Sequence, residues 1–223
     1  MTFIVWLIGY SVMYKGFLKR VLDFSISFVA LIVLFPLIAI TAIIIKIDSP
    51  GAVFFKQKRI GLDKSHFNML KFRTMRTDAP KDTPTHMLAN PEQYISRFGR
   101  VARKLSWDEV PQLFHILSGK MSIIGPRPAL WNQHDLIAER DKYGANDVKP
   151  GLTGWAQING RDELPIDVKA RFDGEYVEKM SFAFDCKCFF GTVLAVVKRD
   201  GVVEGGTGSV AVSEEVEKEA TLK

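Results

Sequence analysis

Cysteine is nearly absent from this 223-residue chain: only Cys186 and Cys188 occur, one residue apart. That spacing is too tight for an easy disulfide, and two thiols are too few for a zinc site. A disulfide scaffold is therefore excluded, and a reducing compartment fits. Also missing are the phosphate loop G-x-x-x-x-G-K-[ST], the dinucleotide loop G-x-G-x-x-G, the nucleophile elbow G-x-S-x-G and the zinc helix H-E-x-x-H. No D-x-D pair of the metal-holding kind occurs either. The four histidines (His66, His86, His115 and His134) are scattered, and they read as structural or exposed. With 47% hydrophobic and 25% charged residues, 17 glycines and 10 prolines, the chain is neither a disordered polyampholyte nor a collagen-like repeat. Its length suits one domain, with or without an appendage.

The charge is uneven. Thirty Lys and Arg stand against twenty-five Asp and Glu, a net +5. Residues 201–223 hold five glutamates and two lysines, so residues 1–200 keep 28 basic and 20 acidic side chains, a net +8. A basic body suits nucleic acid, anionic lipid or a phosphate-bearing substrate. Its aromatics are not interleaved with the basic residues as stacking platforms, which argues against nucleic acid.

The apolar residues are concentrated. Phe24–Ile45 is a run of 22 residues without a charge. As a helix it is about 33 Å long, enough to cross a hydrocarbon core of roughly 30 Å. Pro36 sits in its middle, where proline removes a backbone hydrogen bond and crowds the preceding turn. Basic residues flank both ends: Lys15, Lys19 and Arg20 before, Lys46, Lys56, Lys58 and Arg59 after. The positive-inside rule then sets no direction for a single span. A helix that dips into the bilayer, breaks near Pro36 and returns leaves both basic flanks on one face. Met1–Tyr14 is also uncharged and lacks the basic start and small-residue cleavage site of a signal peptide. It reads as an interfacial helix, or residues 1–12 are an upstream extension before a start at Met13.

Beyond the apolar run the chain reads as α+β and mostly helical. Strands are expected at Val53–Lys58 and 67–75, a loop at Asp78–Pro91, and helices at Ser106–Leu117, Leu130–Tyr143 and through most of Asp167–Lys198. Pro150–Arg161 (PGLTGWAQINGR) reads as a glycine-rich loop whose Trp155, Gln157, Asn159 and Arg161 suit a base and sugar hydroxyls. Residues 201–223 read as a mobile acidic tail.

Three segments carry possible chemistry. Ser106-Trp107-Asp108-Glu109 has the spacing of a capping box, and Pro111 suits the first turn of a helix. The same pair, Asp108 and Glu109, with Arg100, Arg103 and Lys104 upstream, suits a divalent metal and a phosphate. One carboxylate could then attack phosphorus. In Gly125-Pro126-Arg127-Pro128 the prolines stiffen the backbone around Arg127, whose fork suits phosphate; a turn with a surface arginine is the plainer alternative. In Lys71-Phe72-Arg73-Thr74-Met75, strand alternation puts Lys71 and Arg73 on one face. That face suits phosphate or anionic lipid, or simply solvent.

Together these segments resemble the bacterial sugar transferases of the monotopic phosphoglycosyl transferase family. The matching stretches are KRVLDFSISFVALIVLFPLIAI, SPGAVFFKQKRIG, LKFRTM, SWDEVPQLFHILSGKMSIIGPRP and KPGLTGWAQINGR, in the family's order and spacing. The resemblance covers roughly Met13 to Gly201 and is to the small, single-domain branch. It implies a catalytic domain at 48–200 on the cytosolic face of the bacterial cytoplasmic membrane, carried by a re-entrant anchor at 13–47. It implies transfer of a phospho-sugar from a UDP-sugar to polyprenol phosphate with release of UMP, through a covalent intermediate on the enzyme and with Mg²⁺. That reaction opens the membrane stage of exopolysaccharide, capsule, O-antigen or glycoprotein glycan assembly. By the same resemblance Asp108 is the nucleophile and Glu109 its metal or proton-handling partner. Arg103, Arg127, Lys71, Arg73 and Asp173 fall at substrate-binding positions, with Tyr176 close by. Lys19, Arg20 and Pro36 match the mouth and break of the anchor. Downstream glycosyltransferases or a second copy of the chain are further expected partners. Departures are Phe35 before Pro36 where serine is frequent, and Asp162 where asparagine is usual. A membrane-anchored scaffold or lipid-binding protein of envelope assembly is the alternative from another class; release of UMP separates the two.

Overall fold

The computed structural model describes residues 13–80, 90–160 and 164–198. The upstream extension at 1–12, most of the Asp78–Pro91 loop, Arg161, Asp162 and the acidic tail lie outside them.

Helix α1 (Lys19–Asp48) follows a π-helical turn at Tyr14–Leu18 and is long and apolar enough to cross a membrane by length and composition. Helical backbone continues through Pro36, so the expected break is not present as an interruption of the helix. In apolar surroundings a helix keeps its remaining N–H and C=O groups paired internally, which favours continuing past a proline. The helix is inside out compared with one from a soluble protein. Its buried residues are Asp23, Ser27, Thr41 and Ile45, three of them polar. Phe24, Val29, Ile32, Val33, Phe35 and Ile43 are among the many large apolar side chains left exposed.

An antiparallel hairpin follows: β1 (Phe54–Ile60) and β2 (His66–Phe72), in register from Phe54 opposite Phe72 to Ile60 opposite His66. Its turn holds Asp63 and Lys64 in left-handed backbone. Helix α2 (Arg97–Lys104), a 3₁₀ segment (Trp107–Gln112) and α3 (Leu113–Leu117) follow, the 3₁₀ segment packing against β2. Strand β3 (Ser122–Ile124) pairs in parallel with β4 (Gly151–Thr153), and α4 (His134–Asp141) lies between them in sequence. Three helices close the described chain: α5 (Trp155–Ile158), α6 (Ile166–Lys179) and α7 (Phe182–Lys198). The presumed loop at Pro150–Arg161 is thus mostly strand and helix. Glycines permit it: a Cβ on Gly151 would stand 2.2 Å from Gly125 N, and one on Gly154 2.1 Å from Gly125 O.

Both larger apolar clusters include α1. Phe67, Met69, Leu113, Ile116 and Met121 pack with Ala30, Leu31 and Leu34. Tyr14, Ile124, Tyr176, Met180 and Cys188 pack with Leu18 and Leu22. These side chains of α1 are partly buried against the two clusters, so α1 packs on the domain's core as well as forming its long apolar helix.

Candidate active site

Four segments deliver the charged groups. Strand β2 presents Lys71. Helix α2 starts at Ser96, whose Oγ accepts from Gly99 N at 3.0 Å, and it carries Arg103 in its last turn. The chain then turns through Ser106, in left-handed backbone at φ 53°, into the 3₁₀ segment bearing Asp108 and Glu109. The expected capping box does not form: Ser106 caps nothing with its side chain, and the Glu109 carboxylate is taken up elsewhere. Arg127 comes on the Gly-Pro-Arg-Pro link, pinned on both sides. Gly125 N donates to Thr153 O and Gly151 N to Pro126 O, both at 2.8 Å. From the hairpin, Arg59 donates to Pro128 O, and Ile60 N to Ala129 O, both at 2.9 Å.

The two neighbouring carboxylates are treated oppositely. Glu109 Oε1 accepts from Lys71 Nζ at 2.7 Å and from an Arg127 guanidinium nitrogen at 2.8 Å. The second Arg127 nitrogen lies 3.5 Å from Oε2, so the arginine grips as a fork. Burial alone would raise Glu109, but Arg127 and Lys71 outweigh it and hold the acid well below the ordinary carboxylate range. Asp108 accepts no hydrogen bond among the described residues; its nearest cation, Lys71 Nζ, is 3.9 Å away. Burial pushes Asp108 upward, Glu109 adds to this, and Lys71, Arg103 and Arg127 oppose it. Environments that drive two carboxyls apart commonly assign them different tasks.

Lys71, Arg103, Asp108, Glu109 and Arg127 line one cavity of about 1150 Å³. Two adjacent carboxylates are hard oxygen donors. Among the described residues no cluster of three or more His, Cys, Asp or Glu could cage an ion. A cation held by one or two carboxylates plus the phosphates of a substrate fits this donor set.

The other expected residues have different tasks. Arg73 lines the cavity, but its guanidinium donates to Pro50 O at 2.8 Å and Ser49 O at 2.6 Å, with Ile45 O at 3.4 Å. It caps the C-terminal end of α1. Asp173 is 1% exposed, and its Oδ2 accepts from Arg140 Nε at 2.8 Å and from a terminal guanidinium nitrogen at 2.6 Å; Arg140, not Asp173, lines the cavity. Lys19 pairs with Asp185 at 2.5 Å, and Arg20 donates to the last carbonyls of α3, Ile116 O and Leu117 O. Both members of the basic pair therefore bond to the domain. Trp155 is not a free stacking platform: its indole donates to Glu175 at 2.8 Å, and Lys187 Nζ lies 4.6 Å from the ring centre. Tyr176 is buried and bonds Asp185 and Ile124 O.

Sequence reasoning missed Asp23, which accepts from Ser122 Oγ at 2.7 Å and Ile123 N at 3.1 Å. It also missed Thr41, which accepts from Trp107 Nε1 at 2.9 Å, and Arg140. The signal available for Asp23 and Asp185 was a lone acid at the edge of, or inside, an apolar run.

Residues 14–199 match the family described as Bacterial sugar transferase. The uncharacterized sugar transferase EpsL of Bacillus subtilis is 38% identical over 83% of this chain and 90% of its own length. The UDP-glucose:undecaprenyl-phosphate glucose-1-phosphate transferase of Xanthomonas campestris is 38% identical over 80% of this chain. The undecaprenyl-phosphate glucose phosphotransferase of Komagataeibacter xylinus is 40% identical over 78%. The chain spans only 38% and 35% of the length of these last two. With the family matched across its described body and a relative of its own size alongside, this chain belongs to the bacterial sugar transferases.

Proposed function

We propose that the chain transfers a phospho-sugar from a UDP-sugar to undecaprenyl phosphate, with Asp108 as nucleophile. The observation that carries this is the asymmetry of the dyad: Glu109 is ionised and clamped, while Asp108 faces the cavity with no hydrogen bond among the described residues. A carboxylate oxygen of Asp108 attacks the phosphorus that bears the sugar. The bond from that phosphorus to the bridging oxygen breaks, and UMP leaves with the electron pair. A phosphate oxygen of the lipid then attacks the same phosphorus, the acyl-phosphate bond breaks, and Asp108 returns as a carboxylate. Lys71, Arg103 and Arg127 stabilise the charge on the diphosphate, and Arg127 is held in place by Glu109 and by the stiff link around it. Asp108, with Glu109 behind it, would hold Mg²⁺, which when bound neutralises charge on the phosphoryl oxygens.

The lipid acceptor requires the site to sit at the membrane, with the domain on the side where nucleotide sugars are made. Support for a helix that enters and leaves on one face comes from its two ends. Arg20 and Asp23 near the start, and Thr41, Ile45 and Asp48 near the end, all hydrogen-bond to one domain. A straight helix of this length measures about 45 Å, and a transbilayer span could place only one end against a domain on one side.

Asp108→Asn is expected to abolish both UMP release from a panel of UDP-sugars and trapping of radiolabelled phospho-sugar on the protein. A fully active Asp108→Asn enzyme would discard the covalent mechanism; wild-type protein that releases no UMP with any donor would discard the activity.

A further inference from the structure

The helix that leads into the dyad has an outer face that the site does not use. Helix α2 buries Gly99 and Ala102 and leaves Arg97, Arg100, Val101 and Lys104 exposed. Positions three and four apart are neighbours on a helix surface, so these four side chains share one face. Val101 is 58% exposed, and Leu105, which follows the helix, is 61% exposed. Arg97, Arg100 and Lys104 form no ion pair among the described residues. Arg103 differs from them, since it lines the cavity of the dyad.

Single exposed aliphatic residues are ordinary on a protein surface. Here their position is informative, because two hydrogen bonds fix α2 against α1. Asp48 accepts from Phe98 N at 3.3 Å, and Thr41 Oγ1 accepts from Trp107 Nε1 at 2.9 Å. About 10 Å of helix separates Asp48 from Thr41. Residues 98–107 cover the same stretch in the opposite direction, so later positions of α2 lie beside earlier turns of α1. Asp48 stands beyond the uncharged run Phe24–Ile45, and Thr41 stands inside it. Around Thr41, the α1 residues Ile40, Ile43 and Ile44 are exposed. With α1 in a bilayer, the start of α2 is at the level of the headgroups and Leu105 is at the edge of the acyl chains. Cations and aliphatic groups mixed on one helix face suit that boundary. The long stem of Lys104 can carry its ammonium back to the headgroups.

We propose that the outer face of α2 sits in the bilayer surface beside the end of α1, with Val101 and Leu105 in the acyl boundary and Arg97, Arg100 and Lys104 on anionic phospholipid headgroups. The proposal rests on the reading of α1 as membrane-embedded. The apolar surface it extends is that of α1, and the charge it presents is complementary to an anionic leaflet. It bears on the site because Arg103 belongs to the same helix and Asp108 follows Leu105 by three residues. Lipid on the outer face of α2 then sets the height of the charged cavity above the bilayer.

Depth-dependent fluorescence quenching on the full chain in nanodiscs tests it. Val101→Cys, Leu105→Cys and, as a reference on α1, Ile43→Cys each carry an environment-sensitive fluorophore in a Cys186→Ser/Cys188→Ser background. The quenchers are phosphatidylcholine and phosphatidylglycerol, each spin-labelled on the acyl chain, and aqueous iodide. All three probes are expected to be quenched by the lipids and shielded from iodide, Leu105 more than Val101. Phosphatidylglycerol is expected to quench the Val101 probe at about fivefold lower content than phosphatidylcholine, the scale of one cation at an anionic surface. Adding Arg97→Gln/Arg100→Gln/Lys104→Gln is expected to remove that preference. Probes at Val101 and Leu105 that are open to iodide while Ile43 is quenched by lipid overturn the proposal and leave the anchor standing; an Ile43 probe open to iodide overturns both. Shielding of Val101 and Leu105 from iodide and lipid alike would mean that protein covers α2, and it also overturns the proposal. Equal quenching by the two lipids, or a preference that survives the triple substitution, overturns the headgroup assignment.

Discussion

Asp108 and Glu109 are adjacent in sequence and chemically alike, and the fold makes them different by what it brings to each. Lys71 arrives from the hairpin and Arg127 from the link after β3, and both settle on Glu109. The motif alone located the dyad, but the division of labour was not legible, because it depends on partners far away along the chain. The same limit explains Arg73, Lys19, Arg20 and Asp173. A charged residue in a sequence shows its charge and not its partner, and each of these is matched inside the protein. The pair Arg140–Asp173, 4% and 1% exposed at the side chains, makes this measurable. Burial raises the Asp173 acid and Arg140 opposes the rise, so the carboxylate depends on its partner. Removing one member of such a pair leaves a buried charge uncompensated, and Asp173→Ala is expected to cost about 3–5 kcal/mol. Denaturant unfolding in nanodiscs measures this, with the loss expected to shrink in Asp173→Ala/Arg140→Met. His115 supplies a pH dependence. Its Nε2 accepts from Leu70 N at 3.0 Å, next to Lys71, so the ring is neutral in the fold. Burial, and to a lesser degree Lys120, holds its pKa below the ordinary histidine value. The unfolded chain therefore takes the proton first. Stability from this residue is complete above about pH 6.5 and declines as pH falls below it. Melting curves from pH 7.5 to 5 are expected to show that decline, and a smaller one in His115→Gln.

Among the elements, the hairpin and the long C-terminal helices were readable because their patterns are local: alternating apolar residues for the strands, a 3.6-residue rhythm for the helices. Strand β4 and helix α5 were not, since a three-residue parallel pairing depends on β3 and on glycines that allow close approach. Helix α1 was readable as apolar, but not as the scaffold of the site. Its hydrogen bonds reach each segment that carries a charge of the cavity: Arg73 beyond Lys71, Phe98 in the helix of Arg103, Trp107 beside Asp108, and Ile123 before the link of Arg127. The Thr41–Trp107 bond tests this scaffold role. Thr41→Val and Trp107→Phe are each expected to slow the proposed phospho-sugar transfer to Asp108 by about two- to tenfold, the scale of one hydrogen bond. The double variant should be no slower than either single one, and Thr41→Ser should restore the rate. Stopped-time trapping of the labelled intermediate measures all four; additive losses would separate Thr41 from the site.

For the whole molecule, the question is where the bilayer lies. If both ends of α1 sit on one face, cysteines placed singly at the exposed positions Lys15 and Lys46, in a Cys186→Ser/Cys188→Ser background, are both expected to be shielded from an impermeant thiol reagent added outside intact cells. Both are expected to label after the cells are opened. Labelling of either from outside would place a full span there. The polar inner face of α1 has a consequence for handling the protein. Cutting the chain at the end of this helix would not release a water-soluble enzyme. It would strip partners from Arg73, Trp107, Ser122 and the amide of Phe98, and uncover the cluster around Phe67, Met69 and Leu113. The matched family region itself begins at residue 14, ahead of the helix. The smallest portable unit is therefore helix and domain together, and a lipid substitute around the outer face, not truncation, is the route to an active preparation.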